Sequence, residues 1–204
     1  MWHNPPMAAP HLVPSSPTPL TANEMLDVVE EALHSKTSEW LFFRELRVGT
    51  GRGKATLQRL DAFAFNSLPH HAMKRICYEV KCSRGDLLGE LKRPLKRRVG
   101  MRYSNEFYFV VPGGMVDLHE IPSECGLLEV GMATAAEWQL LLQRQAGFFR
   151  YTPESQRYCL LSIPAPWRDT PGPTWQLTAA MLRHQQREYR ERIEPPEQGR
   201  LELV

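Results

Sequence analysis

Residues 75–94 read RICYEVKCSRGDLLGELKRP, a strand followed by a turn and a capped helix. Strand alternation puts Ile76, Tyr78, Val80 and Cys82 on one face and Cys77, Glu79 and Lys81 on the other. Charges at neighbouring same-face positions of an interior strand are costly unless they are paired or bind something. Asp61 sits in the middle of the preceding apolar run, ATLQRLDAFAF. Two neighbouring strands would therefore bring Asp61 close to Glu79. Two carboxylates held together repel each other, and a hard divalent cation with oxygen ligands relieves that repulsion. The backbone carbonyl of Val80 is a third candidate oxygen.

Outward from this stretch, the other elements follow from local signals. TANE at 21–24 is a capping box, and Met25, Val28, Val29 and Ala32 recur at helical spacing, which predicts a helix over 22–35. Strands are expected near 40–48 and 55–65, with the intervening GTGRGK marking a hairpin. Ser83 with Asp86 caps a helix that runs to Pro94, and a short basic helical segment follows. EFYFVVP at 106–112 is apolar on both faces, the pattern of a strand buried on both sides of a sheet. GLLEV at 126–130 is a further strand. TAAEWQLLLQRQAGFF from 134 to 149 reads as a helix, capped by Thr134 and Glu137, with Trp138, Leu141 and Leu142 in the core. The proline-rich stretch 151–175 reads as irregular, and a charged amphipathic helix follows. The expected fold class is α/β, a mixed β-sheet flanked by helices.

The D…E-x-K spacing carries a resemblance. Asp61, then seventeen residues, then Glu79-Val80-Lys81 resembles the signature of the PD-(D/E)xK nuclease superfamily, whose restriction-endonuclease-like core runs α-β-β-β-α-β. Leu60 stands where the motif's name has proline. YEVKCSRGDLLGELKRPLKRR and EFYFVVPGG…IPSECGLLEV are similar to bacterial DNA-repair proteins of the MmcB type. The resemblance spans residues 22–131.

That resemblance implies a nuclease in which Asp61 and Glu79 hold Mg²⁺ or Mn²⁺ with the Val80 carbonyl, and Lys81 orients the attacking water. An additional upstream acid is common in the family, and Glu45 is placed to be it; a surface glutamate paired with Arg47 or Arg59 is the alternative. Arg84, at the opening of the helix, is placed to contact substrate. Lys92, Arg93, Lys96, Arg97, Arg98 and Arg102 form a basic run that is either a solvated helix face or a phosphate-binding track. His70 and His71 read as polar loop residues.

Composition bounds the rest. With 204 residues, 42% hydrophobic and 24% charged, the chain is an ordinary globular one; its net charge of +2 does not by itself argue for nucleic acid. Cys77, Cys82, Cys125 and Cys159 have no C-x-x-C spacing, which argues against a zinc site. With no signal-peptide pattern and no membrane-length apolar run, the expected location is the cytoplasm with reduced thiols. Residues 1–20, with six prolines, are expected as a flexible arm, 21–150 as the nuclease-like domain, and 151–204 as an extension. The arm and the C-terminal helix are the candidate docking elements for a protein partner, and a homodimer stays open. A catalytically weak nucleic-acid-binding module of a repair or defence complex is the alternative to a deoxyribonuclease.

Overall fold

A computed structural model describes residues 20–49, 58–142, 149–152 and 156–193. Five helices and seven strands follow one another as α1 (Ala22–Leu33), β1 (Trp40–Val48), β2 (Gln58–Asn66), β3 (Arg75–Val80), α2 (Arg84–Leu91), α3 (Arg98–Tyr103), β4 (Glu106–Pro112), β5 (Gly126–Met132), α4 (Ala135–Leu142), β6 (Phe149–Thr152), β7 (Arg157–Ile163) and α5 (Trp175–Ile193). The strands lie in one sheet in the order β1-β2-β3-β4-β5-β7-β6. β1, β2 and β3 pair antiparallel. β3 and β4 run parallel: Asn105 N donates to Arg75 O, and six residues on Lys81 N donates to Val110 O, so the partners advance together. The protein is an α/β fold with a mixed sheet flanked by helices. Its first elements keep the expected α-β-β-β-α-β order, with α3 added before β4.

The described chain packs as two compact units interleaved in sequence. One comprises residues through Leu33, Val80–Lys92 and Phe109–Ala165. Its helix α1 begins at the expected capping box: Thr21 N and Oγ1 each donate to Glu24 Oε2 at 2.8 Å. Met25, Leu26, Val28, Val29 and Ala32 are buried, and α1 lies against β5 and β7. β7 was read from sequence as irregular because prolines surround it; it instead inserts between β5 and β6 and buries Tyr158, Cys159 and Leu160. The helix expected through Phe149 also differs, since Phe149 opens β6. The capping of α4 is as expected: Thr134 N donates to Glu137 Oε2 at 2.8 Å, and Trp138 is buried. Burial pushes the Cys159 thiol up to about 12, so it is an inert core group.

The other unit comprises His34–Glu79, Arg93–Tyr108 and the residues from Pro166. Strand parity sorts its core onto two faces. Phe42, Ala62, Ala64, Ile76 and Tyr78 share one face, and Phe43, Phe63, Phe65 and Cys77 the other. His34 covers the first, its Nε2 2.7 Å from the Tyr78 hydroxyl and its ring 4.4 Å from that of Trp40. α5 covers the second at β1, where His184 meets Phe43 edge-on at 5.7 Å. All four cysteines are free, and no helix among the described residues is long and apolar enough to cross a membrane.

Candidate active site

The site rests on strand register. Along β2 and β3, Ala64 faces Ile76, Phe63 faces Cys77, and Ala62 faces Tyr78. One step further the same register sets Asp61 opposite Glu79. Directly opposed residues of an antiparallel pair have Cβ atoms about 4.5–5.5 Å apart and point to the same face. The face is that of Phe63 and Cys77, two residues back on each strand. Both acids are half-buried, Asp61 within β2 and Glu79 next to the end of β3, in strands whose other positions are largely buried and apolar. The backbone pairing itself ends at Ala62 and Tyr78, one residue short of the two acids on each strand.

Glu45 completes the row. Arg44 faces Ala62 and Leu46 faces Leu60, so Glu45 stands level with Asp61. Its backbone has φ 50°, a left-handed conformation that costs a side-chain-bearing residue on the order of 1–3 kcal/mol. Its carboxylate is 60% exposed and meets Arg59 Nη1 at 3.3 Å. Of the two readings of Glu45, the arginine pairing is the one realised here. Arg47 faces Arg59 across the strands, so two guanidinium-bearing residues lie beside the acids, a juxtaposition that is unfavourable unless acids or an anion offset it.

Asp61 and Glu79 suit a hard cation. Mg²⁺ is commonly held through one or two carboxylates while keeping several waters, and a backbone carbonyl such as that of Val80 is a compatible ligand. Among the described residues, no group of three or more His, Cys, Asp and Glu is arranged to hold a metal ion. The fit therefore rests on two carboxylates and backbone oxygen, not on a side-chain cage.

Lys81 lies one residue beyond β3. Its N–H donates to Val110 O at 3.0 Å. Its ammonium is 3.6 Å from Glu90 Oε2, with the two side chains 14% and 5% exposed. α2 brings Glu90 there. Ser83 Oγ accepts from Asp86 N at 3.2 Å and fixes the start of the helix, and Leu87 and Glu90 form its buried stripe. Glu90 was missed in the sequence. Its signal was an acid one turn from a core leucine.

The basic residues divide. Arg84, expected at substrate, forms a bidentate pair with Glu120 at 2.7 and 2.8 Å and also donates to Met115 O at 3.3 Å. Lys92, Lys96 and Arg98 are exposed, as a track requires. Arg97 is not: at 4% exposure it belongs to the interior and is withdrawn from the track. The reason is local geometry. Pro94–Arg97 is a 3₁₀ turn leading directly into α3, and the change of helical period at the junction turns Arg97 inward while its neighbours Lys96 and Arg98 stay exposed.

No protein-family model matches the chain, and no curated protein matches it. Among solved structures it is similar to the SPO1766 protein of unknown function from Silicibacter pomeroyi, with a TM-score of 0.53 and 17% identity over 91% of this chain and 98% of that one. That likeness is one of fold.

Proposed function

We propose that this protein is a metal-dependent nuclease that hydrolyses phosphodiester bonds of nucleic acid, with DNA as the substrate that the D…E-x-K resemblance implies. What supports the reading is the β2–β3 register, whose last pair is Ala62 with Tyr78 and which, carried one step further, would put Asp61 beside Glu79 on one face. Two half-buried acids in adjacent register positions repel each other, and a cation shared between them relieves that repulsion.

Asp61 and Glu79 would hold Mg²⁺ or Mn²⁺ with the Val80 carbonyl. When bound, such an ion acidifies a coordinated water and offsets charge on the scissile phosphate. Lys81, two residues along the chain from Glu79, would orient the water and stabilise the additional negative charge of the transition state. Its pairing with Glu90 supports that role, because a buried acid favours the charged ammonium and restricts its position. Water attacks phosphorus in line with the departing 3′ oxygen, leaving a 5′-phosphate; that polarity comes from the resemblance.

The test is direct. Purified protein is incubated with labelled single-stranded, duplex and branched DNA in Mg²⁺, Mn²⁺ or EDTA, and the products are resolved. Cleavage that needs the metal and is lost in Asp61→Asn and Glu79→Gln supports the reading. Binding without cleavage in any metal would establish the catalytically weak nucleic-acid-binding module instead.

A further inference from the structure

α3 is seated on the same sheet face as the acids. A Cβ at Gly100 would lie 2.8 Å from Cys77 Sγ and 3.0 Å from the Phe107 ring, so glycine is what lets the helix approach this closely. Cys77 shares its face with Glu79, two residues and about 7 Å further along β3. The Gln58 side chain donates to the Lys96 carbonyl, which ties the turn before α3 to the start of β2, three residues from Asp61.

Beside α3 is a depression of about 690 Å³ lined by Leu95, Arg98, Val99 and Arg102. Arg98 and Arg102 are one helical turn apart, and among the described residues neither has a carboxylate partner. Like charges at this spacing oppose helix formation. Arg102 is placed over the Tyr103 ring at 5.9 Å. Leu95, 72% exposed, adds an apolar surface to the same depression. A solvated helix face accounts for the arginines but not for a leucine and a valine lining the same depression.

We propose that this depression seats one nucleotide of an unpaired nucleic-acid strand, a proposal that takes its substrate class from the nuclease reading. Arg98 and Arg102 bracket a phosphate, and the base or sugar lies against Leu95 and Val99. Duplex DNA presents phosphates but keeps its base faces stacked inside. It would satisfy the two arginines and leave Leu95 bare, whereas an unpaired strand satisfies both.

The experiment measures binding of full-length protein to labelled oligo(dT) and to duplex of equal length, in EDTA so that nothing is cut, over a range of salt. The single strand is expected to bind more tightly. Arg98→Ala/Arg102→Ala should weaken that binding and reduce the log–log salt slope by about 1.4, two contacts at ~0.7 each. Leu95→Ala should weaken single-strand binding several-fold with the slope unchanged, because it removes apolar contact and no charge. Arg97 is spared, since its burial would mix stability with binding. Unchanged affinity and slope in the arginine variant overturns the proposal, as does duplex bound equally well with Leu95→Ala silent. The same preparations assayed in Mn²⁺ separate the two readings. Wild-type protein that binds through these residues but cuts nothing overturns the nuclease alone. Wild-type protein that cuts as well as the arginine variant overturns the nucleotide seat alone.

Discussion

Arg75 and Glu79 sit four residues apart on the same face of β3 and are treated in opposite ways. Arg75 is 6% exposed, and the chain is arranged around it. Its Nε donates to Tyr103 O at 3.0 Å and its Nη2 to Thr170 Oγ1 at 2.7 Å, while its N–H donates to Asn105 Oδ1 at 2.9 Å. Burial holds its pKa below the usual arginine value. Glu79 is half-buried, and its neighbour in register is a second acid. A charge that serves the fold is surrounded by groups of complementary polarity. A like-charged neighbour repels, and under the proposed function a bound cation is what offsets that repulsion at Glu79.

The largest expected effect tests that contrast at Glu79. Glu79→Gln keeps the shape and removes a charge proposed to bind the metal, so under that proposal cleavage should fall at least about a thousandfold, the equivalent of several kcal/mol. Its stability in chemical denaturation should be unchanged or slightly higher, because one like-charge neighbour is gone. A destabilised variant that still cuts would move Glu79 into the class of Arg75 and break the comparison. Arg75→Ala is expected to do the reverse. It strands the Tyr103 and Thr170 acceptors and should cost about 2–4 kcal/mol, with cleavage per folded molecule unaffected.

How much of this was legible in the sequence depends on period. β3 alternates strictly, so the faces of Cys77, Tyr78 and Glu79 could be read directly, and β1, β4 and the caps at Thr21, Ser83 and Thr134 followed from local patterns. The antiparallel pairing of β2 with β3 needed only two adjacent strands and a loop between them. What stayed hidden depended on partners distant in the chain or on a change of period. Arg75 reads as an ordinary strand start until Thr170, almost a hundred residues on, folds against it. Arg97 reads as one more cation in a basic run until the 3₁₀ turn turns it inward. β7 was concealed by its flanking prolines, although Tyr158, Cys159 and Leu160 are good strand formers.

The opposite face of β3 sharpens the contrast through pH. His34 Nε2 meets the Tyr78 hydroxyl, and its Nδ1 has no hydrogen-bond partner among the described residues. Burial, aided by the positive charge of Lys74, holds its pKa down to about 3. A histidine depressed in the folded state stabilises the fold fully above its unfolded value of about 6.5. That stability is lost as pH falls toward 3, because the unfolded chain binds the proton first. The slope is at most about 1.4 kcal/mol per pH unit, so roughly 2 kcal/mol should disappear between pH 6.5 and 5, before most carboxylates titrate. Denaturation across that interval should show the decline, and His34→Gln should flatten it. An unchanged slope in the variant would mean that this face tolerates charge as the acid face does.

The smallest effect concerns Ser83, the N-cap of α2. Ser83 Oγ accepts from Asp86 N and donates to Asp86 Oδ2 at 2.8 Å, the bonding of a helix cap. If capping is its whole role, Ser83→Ala should cost about 1 kcal/mol in denaturation and leave cleavage alone. Ser83→Asp should restore the cap, since aspartate accepts the same bond and favours a helix N-terminus. The two roles part at that second substitution. An added negative charge is harmless to a cap, but it would repel a phosphate approaching the same amides. Equal cleavage in both variants, with stability lost in the first and regained in the second, would assign Ser83 to the fold with Arg75. A drop in cleavage confined to Ser83→Asp would instead assign the amides at the start of α2 to the substrate.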